Sequence, residues 1–120
     1  MKILIIEPDE YYHRQFRDQV EDIAELFFSR DVAGAQDVID AQPLDLVVSE
    51  LIFPDGHAYE LLPKIQHIPF IVYTKVSHLE DVRQSMNLGA RAYFVKGQDT
   101  LSDIKKFALA FSPEILNSKI

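Results

Sequence analysis

Short, unbroken apolar runs that return along the chain constrain its fold more than any other feature. Ile3-Leu4-Ile5-Ile6, Leu46-Val47-Val48, Phe70-Ile71-Val72-Tyr73 and Tyr93-Phe94-Val95 are all continuous. A strand with one face in water alternates apolar with polar residues, so an unbroken run predicts a strand covered on both faces. Between the runs the spacing changes to three and four. Tyr12, Phe16, Val20, Ile23, Ala24 and Phe27 make one stripe, which predicts a long first helix. A short strand around residues 30–32 then precedes a helix carrying Ala35, Val38 and Ile39. The strand over 45–49 leads into a third helix with Leu61, Leu62 and Ile65, which Pro63 should kink or end early. Leu79, Val82 and Met86 mark a fourth helix that stops at Leu88-Gly89, where glycine supplies a left-handed cap. Ile104, Phe107, Ala108 and Phe111 line the last. Strands alternating with helices in this way predict an α/β fold, a doubly wound five-stranded parallel sheet with helices on both faces.

At 120 residues the chain has room for one domain with a real core, expected over 1–111, followed by a short polar tail over 112–120. Its 48% hydrophobic and 26% charged content argues against disorder. The formal charge of -7 disfavours direct binding to nucleic acid or to an anionic membrane surface. Without cysteine there is no disulfide, thiolate metal site or thiol nucleophile, and the 4 histidines lack ligand spacing. The opening apolar run ends at Glu7-Pro8, too early for a signal sequence or a membrane span, so a cytoplasmic protein is expected.

In a doubly wound sheet the working crevice lies beyond the carboxyl ends of the strands. Those ends deliver Glu7, Pro8, Asp9 and Glu10; Glu50, then Pro54-Asp55-Gly56; Thr74 and Lys75; and Lys96-Gly97. The cluster is rich in carboxylate, with two ammonium groups and a hydroxyl. A dinucleotide site would need glycines and bare amides in the first loop, where this chain places carboxylates. A hydrolase built on Glu7 and Glu50 would lack a nucleophile–base pair. Each group also has a plainer role: Asp9 as a helix N-cap, Asp55-Gly56 as a turn, Glu50 as a solvated strand-end carboxylate, and Tyr93 as a half-buried strand aromatic.

At these residues the chain resembles the response-regulator receiver domain of two-component signalling. The first strand with its acidic end, Asp45 to Pro54, Thr74, and Gly89-Ala90-Arg91-Ala92-Tyr93-Phe94-Val95-Lys96 match in order and spacing from about Lys2 to Phe111. The resemblance implies a flavodoxin-like (βα)5 fold with strand order 2-1-3-4-5. It also implies a phosphoacceptor position at Glu50, an acidic pocket from Glu7 and Asp9, a switch pair in Thr74 and Tyr93, and a phosphate-binding position at Lys96, with Lys75 beside it. The family has an aspartate where Glu50 stands, a second acid where Pro8 stands, and usually a proline where Gly97 stands. Since that second acid normally binds magnesium, no cofactor is expected.

An atypical receiver, or pseudo-receiver, is therefore expected. It would be a non-enzymatic signalling module that works by protein–protein contact without phosphorylation. The alternative is a receiver still competent for magnesium-dependent phosphoryl transfer in a phosphorelay, at Glu50 or at Asp55. The implied partner is a signalling protein, a histidine kinase or a fused output domain, and a homodimer is a further alternative. The family's interaction face would present Gln84, Asn87, Arg91, Tyr93, Lys105 and Lys106, which suits an acidic or mixed partner surface. Two pictures of Glu50 follow. In the preferred one it mimics the phosphorylated aspartate, with Thr74 turned in toward it and Tyr93 swung inward. In the other it pairs with Lys96 low in the crevice and leaves Thr74 outward.

Overall fold

Pairing of the apolar runs sets the architecture in the computed structural model, which describes residues 1–113. β1 (Lys2–Ile6), β2 (Glu25–Ser29), β3 (Leu46–Ser49), β6 (Phe70–Thr74) and β7 (Ala92–Val95) form one sheet in the order β2-β1-β3-β6-β7, every pair parallel. The two remaining strands, β4 (Ile52–Phe53) and β5 (Gly56–His57), form a separate antiparallel hairpin. Without that hairpin the order is the expected 2-1-3-4-5, and the fold is the doubly wound, flavodoxin-like one. The tail expected over 112–120 falls, from residue 114 on, outside the described residues.

Because side chains alternate across a strand, each run feeds two cores. Leu4, Ile6, Val47, Phe70 and Val72 face one side, under α2 (Val32–Ala41) and the segment carrying Leu61, Leu62 and Ile65, with α3 (Leu79–Asn87) against β7. Ile3, Ile5, Leu46, Val48, Ile71 and Tyr73 face the other, under α1 (Glu10–Val20) and α4 (Leu101–Leu109). Double coverage is why the runs read as unbroken.

Three local expectations change. The first helix ends at Val20, not at Phe27. Ile23 and Ala24 reach the same core from a turn, and Phe27 sits in β2 opposite Leu4, so pairing with β1 overrides a stripe that continues in helical register. The strand expected around 30–32 is displaced to Glu25–Ser29. Arg30 belongs to the turn, and Asp31 caps α2 by accepting from the Gly34 N–H at 2.7 Å. The third crossover forms no α-helix. After the hairpin come two 3-10 turns, η1 (Ala58–Glu60) and η2 (Leu62–Lys64), with Pro63 inside the second. Proline has no N–H to donate back one turn and its ring crowds the carbonyl there, so an α-helix cannot run through it. Leu61, Leu62 and Ile65 are buried all the same. The stop after α3 matches expectation: Gly89 adopts φ 107°, and its N–H bonds to the Met86 carbonyl at 3.0 Å.

Candidate functional site

Strand register carries three charged side chains to one point. β1 hands over Glu7, whose N–H continues the ladder to the Ser29 carbonyl at 2.8 Å. β3 hands over Glu50, whose N–H reaches the Ile6 carbonyl at 2.9 Å. Lys96 leaves β7 with its N–H on the Thr74 carbonyl at 2.8 Å. The Lys96 ammonium then lies between the two carboxylates, donating to Glu7 Oε1 and, at 3.2 Å, to Glu50 Oε1. Side-chain exposure is 4% for Lys96, 5% for Glu7 and 16% for Glu50, so the triad is largely out of water. Burying charges is costly unless each is paired and its remaining lone pairs are bonded. Here one ammonium is shared by both carboxylates, and backbone N–H groups take up their remaining oxygens. Glu50 Oε2 accepts from the Leu51 N–H at 2.6 Å and Glu7 Oε2 from the Asp9 N–H at 3.0 Å. The Tyr12 ring covers the ammonium with its centroid 3.9 Å from Nζ.

The turn after Lys96 is closed. Gln98 and Asp99 return their N–H groups to the Val95 carbonyl at 3.1 and 2.8 Å, and Asp99 Oδ2 accepts from the Val95 N–H at 2.7 Å. Gly97 sits at φ 87°, a left-handed conformation that proline's fixed negative φ excludes. The glycine that stands where the family usually has proline thus belongs to a tight turn of its own.

The other candidates divide. Thr74 is buried next to the triad, but its Oγ1 accepts from the Val76 N–H at 3.3 Å and makes no hydrogen bond to Glu50. Tyr93 is tucked against the core under α3, and its hydroxyl donates to the Val76 carbonyl at 2.7 Å. Burial, with the Asp81 carboxylate nearby, pushes its phenol up to about 12. The arrangement mixes the two pictures drawn from sequence: Glu50 pairs with Lys96 and not with Thr74, while Tyr93 is inward. Lys75 is exposed and makes no ion pair among the described residues, so it does not join Lys96 at the crevice. Asp9 caps α1, accepting from the Tyr11 N–H at 2.9 Å. Asp55 turns away from the crevice and accepts from the N–H groups of Val32 and Ala33 at 2.9 and 3.1 Å, bonds that hold its carboxyl below the usual carboxylate range. On the expected interaction face Gln84, Asn87, Arg91 and Lys106 are exposed. Lys105 leaves that face, because its ammonium crosses to Asp22 at 2.7 Å in the seam between α1 and α4.

Tyr12, Tyr73 and Asp99 were not singled out as site residues from sequence. Tyr12 read as part of an apolar stripe and Tyr73 as a strand residue, and only the hydroxyls on both offered a signal that they stand at a polar edge. Among the described residues, no three His, Cys, Asp or Glu side chains come together as a metal-ligand set.

No protein-family model matches the sequence, and no curated protein matches it. Solved structures do. A two-component response regulator from Clostridium difficile superposes with a TM-score of 0.86 at 23% identity, over 92% of this chain and 94% of that one. A CheY-like response regulator receiver domain protein from Methanospirillum hungatei gives 0.80 at 24% identity, over 94% and 97%. The non-phosphorylated HemR receiver domain from Leptospira biflexa gives 0.81 at 22% identity, over 92% and 94%. The chain has the fold of receiver domains.

Proposed function

We propose that a chain with this fold and this crevice is an atypical receiver, a signalling module that acts by protein–protein contact without accepting a phosphoryl group. The observation that carries the reading is the closed Glu7–Lys96–Glu50 triad. In-line attack on a phosphodonor needs an acceptor oxygen free and placed within about an ångström, and here Glu50 spends one oxygen on Lys96 and the other on the Leu51 N–H. Asp55, the alternative acceptor, is engaged by two backbone amides on the far side of the loop.

The magnesium that the family resemblance implies does not suit these residues. It wants several oxygen ligands in near-octahedral array. The two strand-end carboxylates already share an ammonium, and Pro8 contributes no side-chain oxygen. Lys96 supplies the positive charge that a metal would otherwise bring.

Tyr93 supports a module held in one state. Its hydroxyl fixes the loop after β6 through the Val76 carbonyl, and the ring closes against the core beneath α3. The surface formed by α3, Arg91 and α4 then has a single shape to offer a partner, with Arg91 and Lys106 as its cations on an acidic chain. A signalling partner in the cytoplasm, a histidine kinase, a fused output domain or a second copy, completes the reading. No helix among the described residues is long and apolar enough to cross a membrane.

The test is incubation with acetyl phosphate and magnesium, read by intact mass, beside a magnesium titration read by tyrosine fluorescence. The expected outcome is an unchanged mass and no saturable metal response. A gain of one phosphoryl group that Glu50→Gln abolishes would overturn the proposal.

A further inference from the structure

Beyond the triad, on the outer side of the Tyr12 ring, a cavity of about 330 Å³ opens between α1 and the turn that leads into α4. Tyr11, Tyr12, Gln15, Tyr73, Asp99 and Thr100 are among its walls. The Tyr11 and Tyr12 rings are 5.1 Å apart at 88°, and those of Tyr12 and Tyr73 are 5.8 Å apart at 89°. Three rings at successive right angles present π-faces as well as edges. Tyr73 is only 7% exposed, yet its hydroxyl bonds to no group among the described residues. Among the described residues no sealed side-chain oxygen lacks a partner, so this hydroxyl opens on the cavity it helps to line. Burial pushes its phenol up to about 12, which keeps it neutral.

Asp99 is the one charged residue in the lining among the described residues. Its Oδ2 is taken by the Val95 N–H, which leaves the second carboxylate oxygen for a guest. The neighbouring Lys96 does not cancel this charge, since its single ammonium is already outnumbered by the Glu7 and Glu50 carboxylates. Aromatic faces attract cations, and an unmatched carboxylate beside them adds direct attraction. A flat cation with several N–H groups also gives the Tyr73 oxygen and the Gln15 amide something to accept.

We infer that the pocket formed by Tyr11, Tyr12, Tyr73 and Asp99 binds the guanidinium group of an organic cation, either a free small molecule or an arginine side chain. The guanidinium stacks on tyrosine and donates to Asp99 and to the Tyr73 hydroxyl. This role stands independently of whether the module accepts phosphate.

The full chain is titrated at fixed ionic strength with methylguanidinium, with N-acetyl-arginine-N-methylamide, and with uncharged methylurea as a neutral isostere. Tyrosine fluorescence is a direct readout because the chain has no tryptophan and 5 tyrosines, and amide NMR shifts locate the response. The expected result is saturable binding of the guanidinium probes centred on Tyr11, Tyr12 and Asp99, with no response to methylurea. Equal affinities would identify a free cation as the natural guest, and tighter binding of the arginine derivative a side chain. Asp99→Asn keeps an acceptor for the Val95 N–H and removes the charge, and it should weaken binding about tenfold. Tyr73→Phe removes a hydroxyl with no internal partner, so the fold survives and affinity falls about threefold. Methylurea binding as well as methylguanidinium, affinity unmoved in Asp99→Asn, or shifts located elsewhere would overturn the inference.

Discussion

Glu50 stands at the end of β3 and Asp55 turns the hairpin that follows it, and the same functional group meets opposite surroundings. Glu50 turns into the crevice, where it is 16% exposed and is held by the Lys96 ammonium and a backbone amide. Asp55 turns outward at the tip of the β4–β5 hairpin, where it is exposed and is held by two amides at the start of α2. A carboxylate taken out of water needs a full opposite charge. One left in water is satisfied by the partial charges of a helix terminus. The hairpin thus ties the third crossover to the second, while the crevice ties β1, β3 and β7 together.

The comparison is broken most directly at Lys96. Lys96→Met keeps the apolar stem and removes the ammonium, which leaves Glu7 and Glu50 side by side without a counter-charge. Removing one partner of a buried ion pair costs about 3–5 kcal/mol, and urea unfolding should show a loss of that order at pH 7. A midpoint close to that of the parent chain would mean that the crevice is wetter than its exposure indicates and that the contrast with Asp55 is false.

Glu50→Gln probes the same site more gently. Lys96 retains Glu7, and the amide oxygen can still accept from the Leu51 N–H, so the expected loss is about 1 kcal/mol, the scale of one charge-assisted bond. The same variant sharpens the reading of Tyr93. If Glu50 holds the state in which the Tyr93 hydroxyl meets the Val76 carbonyl, Glu50→Gln should broaden or split the Tyr93 ring resonances, whereas an unaltered ring would assign its position to core packing alone.

Two phenols, Tyr73 buried and Tyr93 half-buried, extend the contrast to alkaline pH. Tyr73 and Tyr93 are both pushed up to about 12 by burial, against an unfolded value near 10. The folded state therefore holds these protons more tightly than the unfolded chain. Their contribution is full below about pH 10 and fades as the pH rises toward about 12. Stability measured from pH 9 to pH 12 should fall in that window, with a shallower fall in Tyr93→Phe.

How much of this is legible in sequence follows from the same physics. Unbroken apolar runs report double coverage, so a parallel sheet is readable, its strand order follows only from the family resemblance, and the strand-end rule places Glu7, Glu50 and Lys96 near one another. Which of them close on each other is not readable. The bonds span 89 and 46 residues and depend on the length of one methylene against the register of three strands. The first helix is over-read because Ile23 and Ala24 reach the core from a turn that happens to keep helical spacing. Pro63 announces a broken helix but not the hairpin before it, which forms because Pro54-Asp55 turns the chain and Asp55 finds α2. Tyr73 is hidden in a strand run whose apolar reading is correct for the ring and silent about the hydroxyl.

Asp55 carries the smallest expected effect and the cleanest sign. Its carboxyl is held below the ordinary value by the Val32 and Ala33 amides, with slight desolvation working the other way. A depressed carboxyl means that the folded state resists protonation, so the contribution is present above the unfolded value near 3.9 and is lost as the pH falls through the lowered folded value. Asp55→Asn keeps the side-chain shape and one acceptor but not the charge. The variant should be slightly less stable than the parent at pH 7, and the two should converge as the solution is acidified below about pH 4. Thermal unfolding at both pH values decides it. Added salt should narrow the gap at pH 7, because an exposed charge at a helix terminus is screened. A gap that ignores both pH and salt would mean that Asp55 acts through geometry alone, as the corner of the hairpin, and that the outward carboxylate, unlike the buried one, is not there for its charge.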